Sequence, residues 1–173
     1  MTKANHEKEV LQEFLKVLDE TKYNSCSIES REPPEPDLLI KYSNTEEYYE
    51  LARLLDKNWM KLRVLAIKIA PNFVKVDPSK IGLPERDILK SKLDNSYTTN
   101  SKPLNLLLYY DKGLFLGGPP PVNIVSFFIN EIEPLIQADS KFTNIYYFDR
   151  NSNSIVWGEI NLKEYFANKE RNK

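Results

Sequence analysis

Apolar residues recur with two different periods along the chain, and these periods predict where helices and strands lie. Residues 6–20 carry apolar side chains every three or four positions, which predicts a helix with one broad buried side. Two short apolar-rich runs at 37–42 and 47–54 are separated by the turn-forming residues 43–46, and they predict a hairpin of two strands. The N-terminal third is therefore expected to be a helix followed by a β-hairpin.

The rest of the chain continues with further helices and strands. A helix is predicted over 84–93, where Pro84 suits the first turn, and the dense apolar run 104–110 predicts a strand buried on both faces. The other predicted segments are a polar strand or loop at 22–30, a helix running into a strand at 56–69, a rigid turn at 117–121, a helix at 122–136, a hairpin formed by 143–148 and 154–157, and a charged tail from Lys163.

This order of elements predicts an α/β fold with a mixed central β-sheet flanked by helices. The chain has 173 residues, of which 41% are hydrophobic and 28% are charged, and these are ordinary values for a globular protein. A chain of this length is typical of one domain with one sizeable core. We therefore expect a single α/β domain over residues 1–173, with its core at about residues 4–160.

Composition narrows the classes of function and location. Lys and Arg number 24 and Asp and Glu number 25, so any contact with DNA or RNA must come from a local basic patch. The single cysteine, Cys26, can form neither an internal disulfide nor a thiolate metal site by itself, which favours a reducing compartment. We find no signal-peptide pattern and no apolar run long enough to cross a bilayer. The expectation is a cytoplasmic protein that spans no membrane.

Two acidic residues of the predicted hairpin are candidate metal ligands. A turn centred near Asn44 places Asp37 opposite Leu51 and Leu38 opposite Glu50, so that Asp37 and Glu50 are diagonal neighbours. Two hard carboxylate oxygens at that separation suit Mg²⁺ or Mn²⁺. A divalent ion bound there can polarise a phosphate and lower the pKa of an attacking water.

The first predicted helix contributes a third carboxylate, Glu7. At about 100° per residue, Glu7 falls in the middle of the apolar stripe that contains Val10 and Phe14, whereas Glu9 and Glu13 fall at its edge or outside it. A carboxylate that faces a core needs a partner or an ion, and this face points towards the hairpin. The alternative is an ordinary helix-terminal role, since acids near an N-terminus are stabilised by the helix dipole.

A known family combines these features. Glu7 on the first helix, Pro36-Asp37 on one strand and Glu50-Leu51-Ala52 on the next resemble the PD-(D/E)xK nuclease superfamily. The helical segment 88–93 and the buried strand 104–110 are similar to the helix and strand that follow the motif in bacterial members of that superfamily.

The resemblance covers roughly residues 4–110 and implies both a fold and a function. The implied fold is a restriction-endonuclease-like core. The implied site has Asp37 and Glu50 as ligands of Mg²⁺ or Mn²⁺, with Glu7 supporting or completing it. The implied activity is metal-dependent hydrolysis of a phosphodiester, with DNA or RNA as the partner.

One residue departs from the family pattern. The family places a lysine two residues after the second acid, where this chain has Ala52. That lysine orients or activates the water and stabilises developing negative charge. Lys92 is the candidate replacement from the following helix, and Lys90 is the second candidate. Arg53 is adjacent to Ala52 and is expected to point to the opposite face of the sheet.

Three functions therefore remain open. The first is a magnesium-dependent phosphodiesterase or nuclease whose catalytic residues are Glu7, Asp37, Glu50 and Lys92. The second is a catalytically inactive nuclease-fold protein that acts as a binding or interaction module, which Ala52 and the near-zero net charge favour. The third is an unrelated α/β binding module in which Asp37 and Glu50 point to opposite faces. A second copy of the chain, forming a homodimer, is a further candidate partner.

Overall fold

The computed structural model describes residues 2–54, 84–110, 141–150 and 152–157. In chain order, the elements in these ranges are helix α1 (Lys3–Tyr23), strands β1 (Ser27–Ser30), β2 (Leu38–Tyr42) and β3 (Thr45–Arg53), helix α2 (Pro84–Asp94), and strands β4 (Leu104–Tyr110), β5 (Asn144–Asp149) and β6 (Ser154–Trp157). The predictions for 56–69, 117–121, 122–136 and the tail from Lys163 lie outside the described residues.

The strands form one mixed sheet in the order β1-β2-β3-β4-β5-β6. Strands β1, β2 and β3 pair antiparallel, β3, β4 and β5 pair parallel, and β6 returns antiparallel to β5. The two helices pack on opposite faces of this sheet. The predicted α/β fold with a mixed sheet flanked by helices is therefore confirmed.

Each helix covers one face of the sheet through its apolar stripe. Phe14 of α1 is fully buried, and its ring contacts the rings of Tyr49 on β3 and of Tyr146 and Phe148 on β5. Leu89 of α2 is equally buried in the core layer on the other face. The sheet is thus enclosed from both sides, as apolar residues on both of its faces require.

Strand β4 lies in the middle of the sheet and contributes to both layers. Leu106 and Leu108 belong to the α2 layer, while Leu107 and Tyr109 belong to the α1 layer. All four are nearly inaccessible to solvent, as expected where side chains of one strand alternate between two packed faces. The predicted burial of this strand on both faces is confirmed.

Helix α1 begins at a capping residue and is held against the sheet by an ion pair. The Thr2 hydroxyl accepts the N–H of Asn5 at 3.3 Å, which satisfies one of the free donors of the first turn. Arg150, at the end of β5, donates to Glu13 at 2.8 Å and to Glu9 at 3.0 Å. The guanidinium is almost fully buried, so the first half of α1 is fixed to the β5–β6 turn.

The register of the β2–β3 hairpin differs by one residue from the prediction. Leu38 pairs with Tyr49, and Tyr42 pairs with Thr45, so that the loop contains only Ser43 and Asn44. Ser43 has a φ of 50°, which is the left-handed conformation that tight two-residue hairpin turns require. The predicted pairing of Leu38 with Glu50 is therefore wrong, because the turn is shorter than the four-residue cluster 43–46 indicates.

No helix within the described ranges is long and apolar enough to cross a bilayer.

Candidate functional site

The site lies where β2 begins and β3 continues past it. The first paired residue of β2 is Leu38, so the adjacent Asp37 stands at the open end of the ladder. Its carboxylate Oδ2 accepts the N–H of Leu51 at 2.9 Å, and its own N–H donates to Glu50 Oε2 at 3.3 Å. The Asp37 backbone thus contacts the Glu50 carboxylate, and the Asp37 carboxylate contacts the backbone of β3 at Leu51.

Helix α2 brings Lys92 to this pair. Along β3, Tyr48 and Ala52 face α2, so Glu50, which alternates with them, also faces α2. The Lys92 ammonium donates to Glu50 Oε1, and the exposed fractions of the two side chains are 21% and 8%. Lys90, the second candidate for the missing motif lysine, is exposed to solvent.

Helix α1 brings Glu7 to the same place from the other face of the sheet. Glu7 is buried, as its position in the apolar stripe predicts. The Lys3 ammonium lies 3.2 Å from Glu7 Oε1 and 3.7 Å from Asp37 Oδ1, so it bridges the helix and the hairpin. Lys3 was not among the residues predicted from the sequence, although its i,i+4 spacing from Glu7 is the signal that would have indicated the pair.

Burial and mutual repulsion shift the ionisation of the acids. Burial raises the pKa of Glu50, the Asp37 charge raises it further, and Lys92 counteracts only part of this effect. Burial and then the Asp37 charge likewise raise the pKa of Glu7, against opposing contributions from Lys3 and Lys92. The hydrogen bond to Glu7 raises the pKa of Lys3. The ionised forms of Glu7 and Glu50 are therefore disfavoured, and a further positive charge nearby would stabilise them.

Asp37 and Glu50 are the described residues of the site that could hold a hard divalent cation through their side chains. Asp37 and Glu50 offer carboxylate oxygens, which are the ligands that Mg²⁺ and Mn²⁺ prefer. Over the described ranges, no three His, Cys, Asp or Glu side chains are grouped closely enough to hold a metal. Two carboxylates with water at the remaining positions suit Mg²⁺, which dehydrates reluctantly. Glu7 accordingly belongs to the surroundings of such a site.

Two clefts meet at the Glu50–Lys92 pair. The larger, here called the basic cleft, has a volume of about 490 Å³ and is lined, among the described residues, by Lys3, His6, Glu7, Leu51, Ala52, Arg53, Ile88, Lys92 and Tyr109. The smaller, here called the acidic cleft, has a volume of about 210 Å³ and is lined by Arg31, Pro33, Pro34, Glu35, Asp37, Glu50, Asn95, Ser96 and Tyr97. Asp37 and Glu50 line the acidic cleft, and Lys92 lines the basic cleft.

Arg53 lies in the basic cleft together with Lys92. It alternates with Tyr49 and Leu51, which belong to the α1 layer, so it follows the predicted direction away from Ala52. Because β2 stops at Leu38, no described β2 residue pairs with Arg53, and residues of both faces line the same cleft. The predicted direction of Arg53 is therefore correct, and Arg53 still lines the cleft because β2 ends before it.

Tyr97 lines the acidic cleft and contacts the helix that carries Lys92. Its hydroxyl donates to the backbone carbonyl of Lys92 at 3.4 Å, and its ring packs against Phe142. Burial, followed by the charge of Glu50, raises the pKa of Tyr97, so the hydroxyl stays protonated beside the acids. This residue supports the end of α2 from which the Lys92 side chain extends.

Comparison with known proteins gives no match. No family model matches the chain, and no curated protein or solved structure matches it.

Proposed function

We propose that this protein is a divalent-metal-dependent phosphodiesterase of the nuclease type that acts on DNA or RNA. The observation that carries the proposal lies at the end of β2, where the Glu50 carboxylate accepts from the Asp37 backbone N–H and from the Lys92 ammonium. Two acids from adjacent strands together with a lysine are the residue types that the resemblance to the PD-(D/E)xK superfamily calls for. A cytoplasmic location fits this proposal, since Cys26 has no partner for an internal disulfide.

The order of elements supports the same family. A helix with an inward Glu7 precedes the hairpin that carries both acids, and α2 and the buried strand β4 follow it. This is the order that the resemblance implies for a restriction-endonuclease-like core. The lysine that is absent at Ala52 is supplied from α2, which packs on the face towards which Ala52 and Glu50 point.

Each residue of the site has a separate task in this proposal. Asp37 and Glu50 would hold Mg²⁺ or Mn²⁺, which supplies polarisation of the phosphate and a more acidic water when bound. The Lys92 ammonium lies beside Glu50, where it would offset the negative charge that develops on a phosphate during hydrolysis. Glu7 orients the Lys3 ammonium towards Asp37 and thereby fixes the Asp37 side chain.

The proposal is tested by calorimetric titration of the full chain with Mg²⁺ and Mn²⁺. Binding is expected for the wild type and is expected to be lost in Asp37→Ala and Glu50→Gln. Glu46→Gln is the matched control, since Glu46 lies on the same strand and pairs with Lys102 away from the site. Absence of binding in the wild type, or equal binding in all variants, would exclude the metal site.

Catalysis is tested separately by incubation with plasmid, single-stranded DNA and RNA, with and without the divalent ion. We expect ion-dependent cleavage of at least one of these substrates, and we expect Glu50→Gln to abolish it while Glu46→Gln retains it. Cleavage that persists in Glu50→Gln would contradict the assignment of this residue.

A second candidate function is a non-catalytic binding module on the same fold. The observation in its favour is that Lys3 and Lys92 already place positive charge against the three acids Glu7, Asp37 and Glu50. Nucleic-acid binding without ion-dependent cleavage in the assay above would select this function.

A further inference from the structure

Positive side chains from three separate elements converge on the basic cleft. Lys3 comes from the first turn of α1, Arg53 from the end of β3 and Lys92 from α2, and the acidic residue among the described lining residues is Glu7. Among the described lining residues, cations therefore outnumber acids by three to one, although the chain as a whole has a formal net charge of −1. Its volume of about 490 Å³ lies within the range of roughly 300–1,000 Å³ that is common for ligand sites.

The acidic cleft has the opposite balance of charge. Its described lining includes Glu35, Asp37 and Glu50, against Arg31 as the cation. Lys92 lines the basic cleft and Glu50 lines the acidic cleft, and the two side chains contact each other. Positive side chains therefore lie on one side of this contact and negative side chains on the other. A cation is favoured on one side of it and an anion on the other.

Among the described lining residues of the basic cleft, Arg53 is a cation that the proposed chemistry does not use. Its side chain is exposed at the end of β3, where β2 no longer flanks that strand. A guanidinium presents several N–H donors in one plane and binds phosphate oxygens in pairs, which an ammonium group cannot do. Arg53 is therefore suited to recognise a phosphate next to the acidic pair.

We propose that the basic cleft binds a phosphate group of a nucleic-acid chain, with Arg53 as the recognising residue and with Lys3 and Lys92 adding positive charge. The proposal rests on the proposed function for placing that phosphate next to the Asp37–Glu50 pair. Binding itself requires no metal ion, so it is measured independently of metal binding and of cleavage.

The experiment measures binding of a fluorescently labelled oligothymidylate and of an oligouridylate of equal length to the full chain. Fluorescence anisotropy is recorded in EDTA at several salt concentrations. Arg53→Gln is expected to weaken binding about fivefold or more and to reduce the salt slope by roughly 0.7, the contribution of one phosphate contact on a single strand. The affinity of Arg53→Lys should lie between those of the wild type and Arg53→Gln. Glu7→Gln, which removes an acid from the cleft, should strengthen binding.

The matched control is Lys102→Gln, which removes a cation that lies outside both clefts. Its binding and salt slope should equal those of the wild type, and an equal loss in Lys102→Gln and Arg53→Gln would overturn the proposal. Absence of binding by the wild type at low salt would overturn it as well, while calorimetry with Mg²⁺ would still decide the proposed function. Equal affinity for the two oligonucleotides would support recognition of the shared phosphodiester backbone, and tighter binding of one would also identify the substrate.

Discussion

At the scale of single residues, Lys92 has two opposing effects on the proposed site. Its ammonium contacts Glu50, one of the two expected metal ligands, and so competes with an added cation for the same oxygen. It is also the lysine proposed to stabilise negative charge on the phosphate. Removing it should therefore change metal binding and catalysis in opposite directions.

Lys92→Met tests both effects. The affinity for Mg²⁺ should rise by about threefold to tenfold, because an opposite charge within hydrogen-bond distance contributes on the order of 1 kcal/mol near a protein surface. The rate of cleavage should fall by about 10²–10³, as is typical when one charge-stabilising donor is lost. Calorimetry and initial rates measure the two quantities, and Lys102→Met should change neither. A loss of Mg²⁺ affinity in Lys92→Met would contradict the competing role.

The ionisation of Glu7 predicts how stability depends on pH. Burial and the Asp37 charge raise the pKa of Glu7 in the folded state. The contribution of Glu7 to the free energy of unfolding is therefore complete at a pH below its pKa in the unfolded state. This contribution is lost as pH rises through its pKa in the folded state. The free energy of unfolding of Glu7→Gln should therefore increase relative to that of the wild type as pH rises from 4 to 7. The gain at pH 7 should be on the order of 0.5 kcal/mol, because the nearby exposed Lys3 offsets part of the penalty.

Urea denaturation at the two pH values measures this difference. Glu29→Gln is a control of opposite sign, since the hydrogen bond from Lys41 lowers the pKa of Glu29 and its stabilising contribution is lost as pH falls. The free energy of unfolding of Glu29→Gln should therefore decrease relative to that of the wild type as pH rises. Parallel behaviour of the two variants would show that the Glu7 environment has been misassigned.

At the same scale, the sequence predicted part of the site and missed the rest. Asp37, Glu50 and the inward Glu7 follow from hairpin pairing and helical periodicity, which are local properties of the chain. Lys3 was missed although its i,i+4 spacing from Glu7 is visible in the sequence, and the place of Arg53 in the cleft was missed because it depends on where β2 ends relative to β3. That endpoint is set by the pairing of β2 with β3, which the pattern of apolar positions does not specify.

At the scale of elements, the helices and strands were easier to predict than the way they pair. The helix at 84–93, the strand at 104–110 and the C-terminal hairpin appear within one or two residues of the predicted bounds. The β2–β3 register was wrong by one residue, because the cluster 43–46 contains several turn-forming residues and does not specify which two form the loop. Extending the observed ladder places Asp37 opposite Glu50, which brings the two acids closer than the predicted diagonal arrangement.

The anchoring of α1 to the sheet is a testable property of this arrangement. Arg150 is almost fully buried and bonds Glu13 and Glu9. Arg150→Met should lower the free energy of unfolding by about 1–3 kcal/mol, which is less than for a fully buried pair because both acids keep some contact with water. Denaturant unfolding measures this loss. Glu13→Gln should be more destabilising than Glu9→Gln, since the exposed fractions of their side chains are 22% and 44%, and the reverse order would contradict the proposed anchor.

At the scale of the whole molecule, the site connects elements from both faces of the sheet. Glu7 belongs to α1, Lys92 to α2, and the two acids Asp37 and Glu50 to the hairpin between them. A cation bound to the acids should therefore stabilise the entire fold. At a concentration of one hundred times Kd, a ligand that binds only the folded state adds about 2.7 kcal/mol. For a chain of this size, that corresponds to a rise in Tm of about 5–10 °C.

Differential scanning calorimetry with and without Mg²⁺ measures that rise. The rise should disappear in Asp37→Ala and persist in Glu46→Gln, whose carboxylate pairs with Lys102 outside the site. An equal rise in both variants would assign the effect to weak binding of the ion elsewhere on the surface.

Hydrogen exchange distinguishes stabilisation of the whole site from stabilisation of the hairpin alone. Lys3 and Glu7 lie in the first two turns of α1 and Lys92 lies in the last turn of α2, on opposite faces of the sheet, and both helices are linked to the acids through ion pairs. If Mg²⁺ binds between the acids, amide exchange should slow at both helix ends together with residues 49–52 of β3, because local opening of either helix would disrupt the site. Protection restricted to one helix would show that the ion contacts only one side of the pair. Protection of neither helix would mean that the lysine contacts do not couple the two faces, and Lys92→Met should then leave the exchange of α2 unchanged.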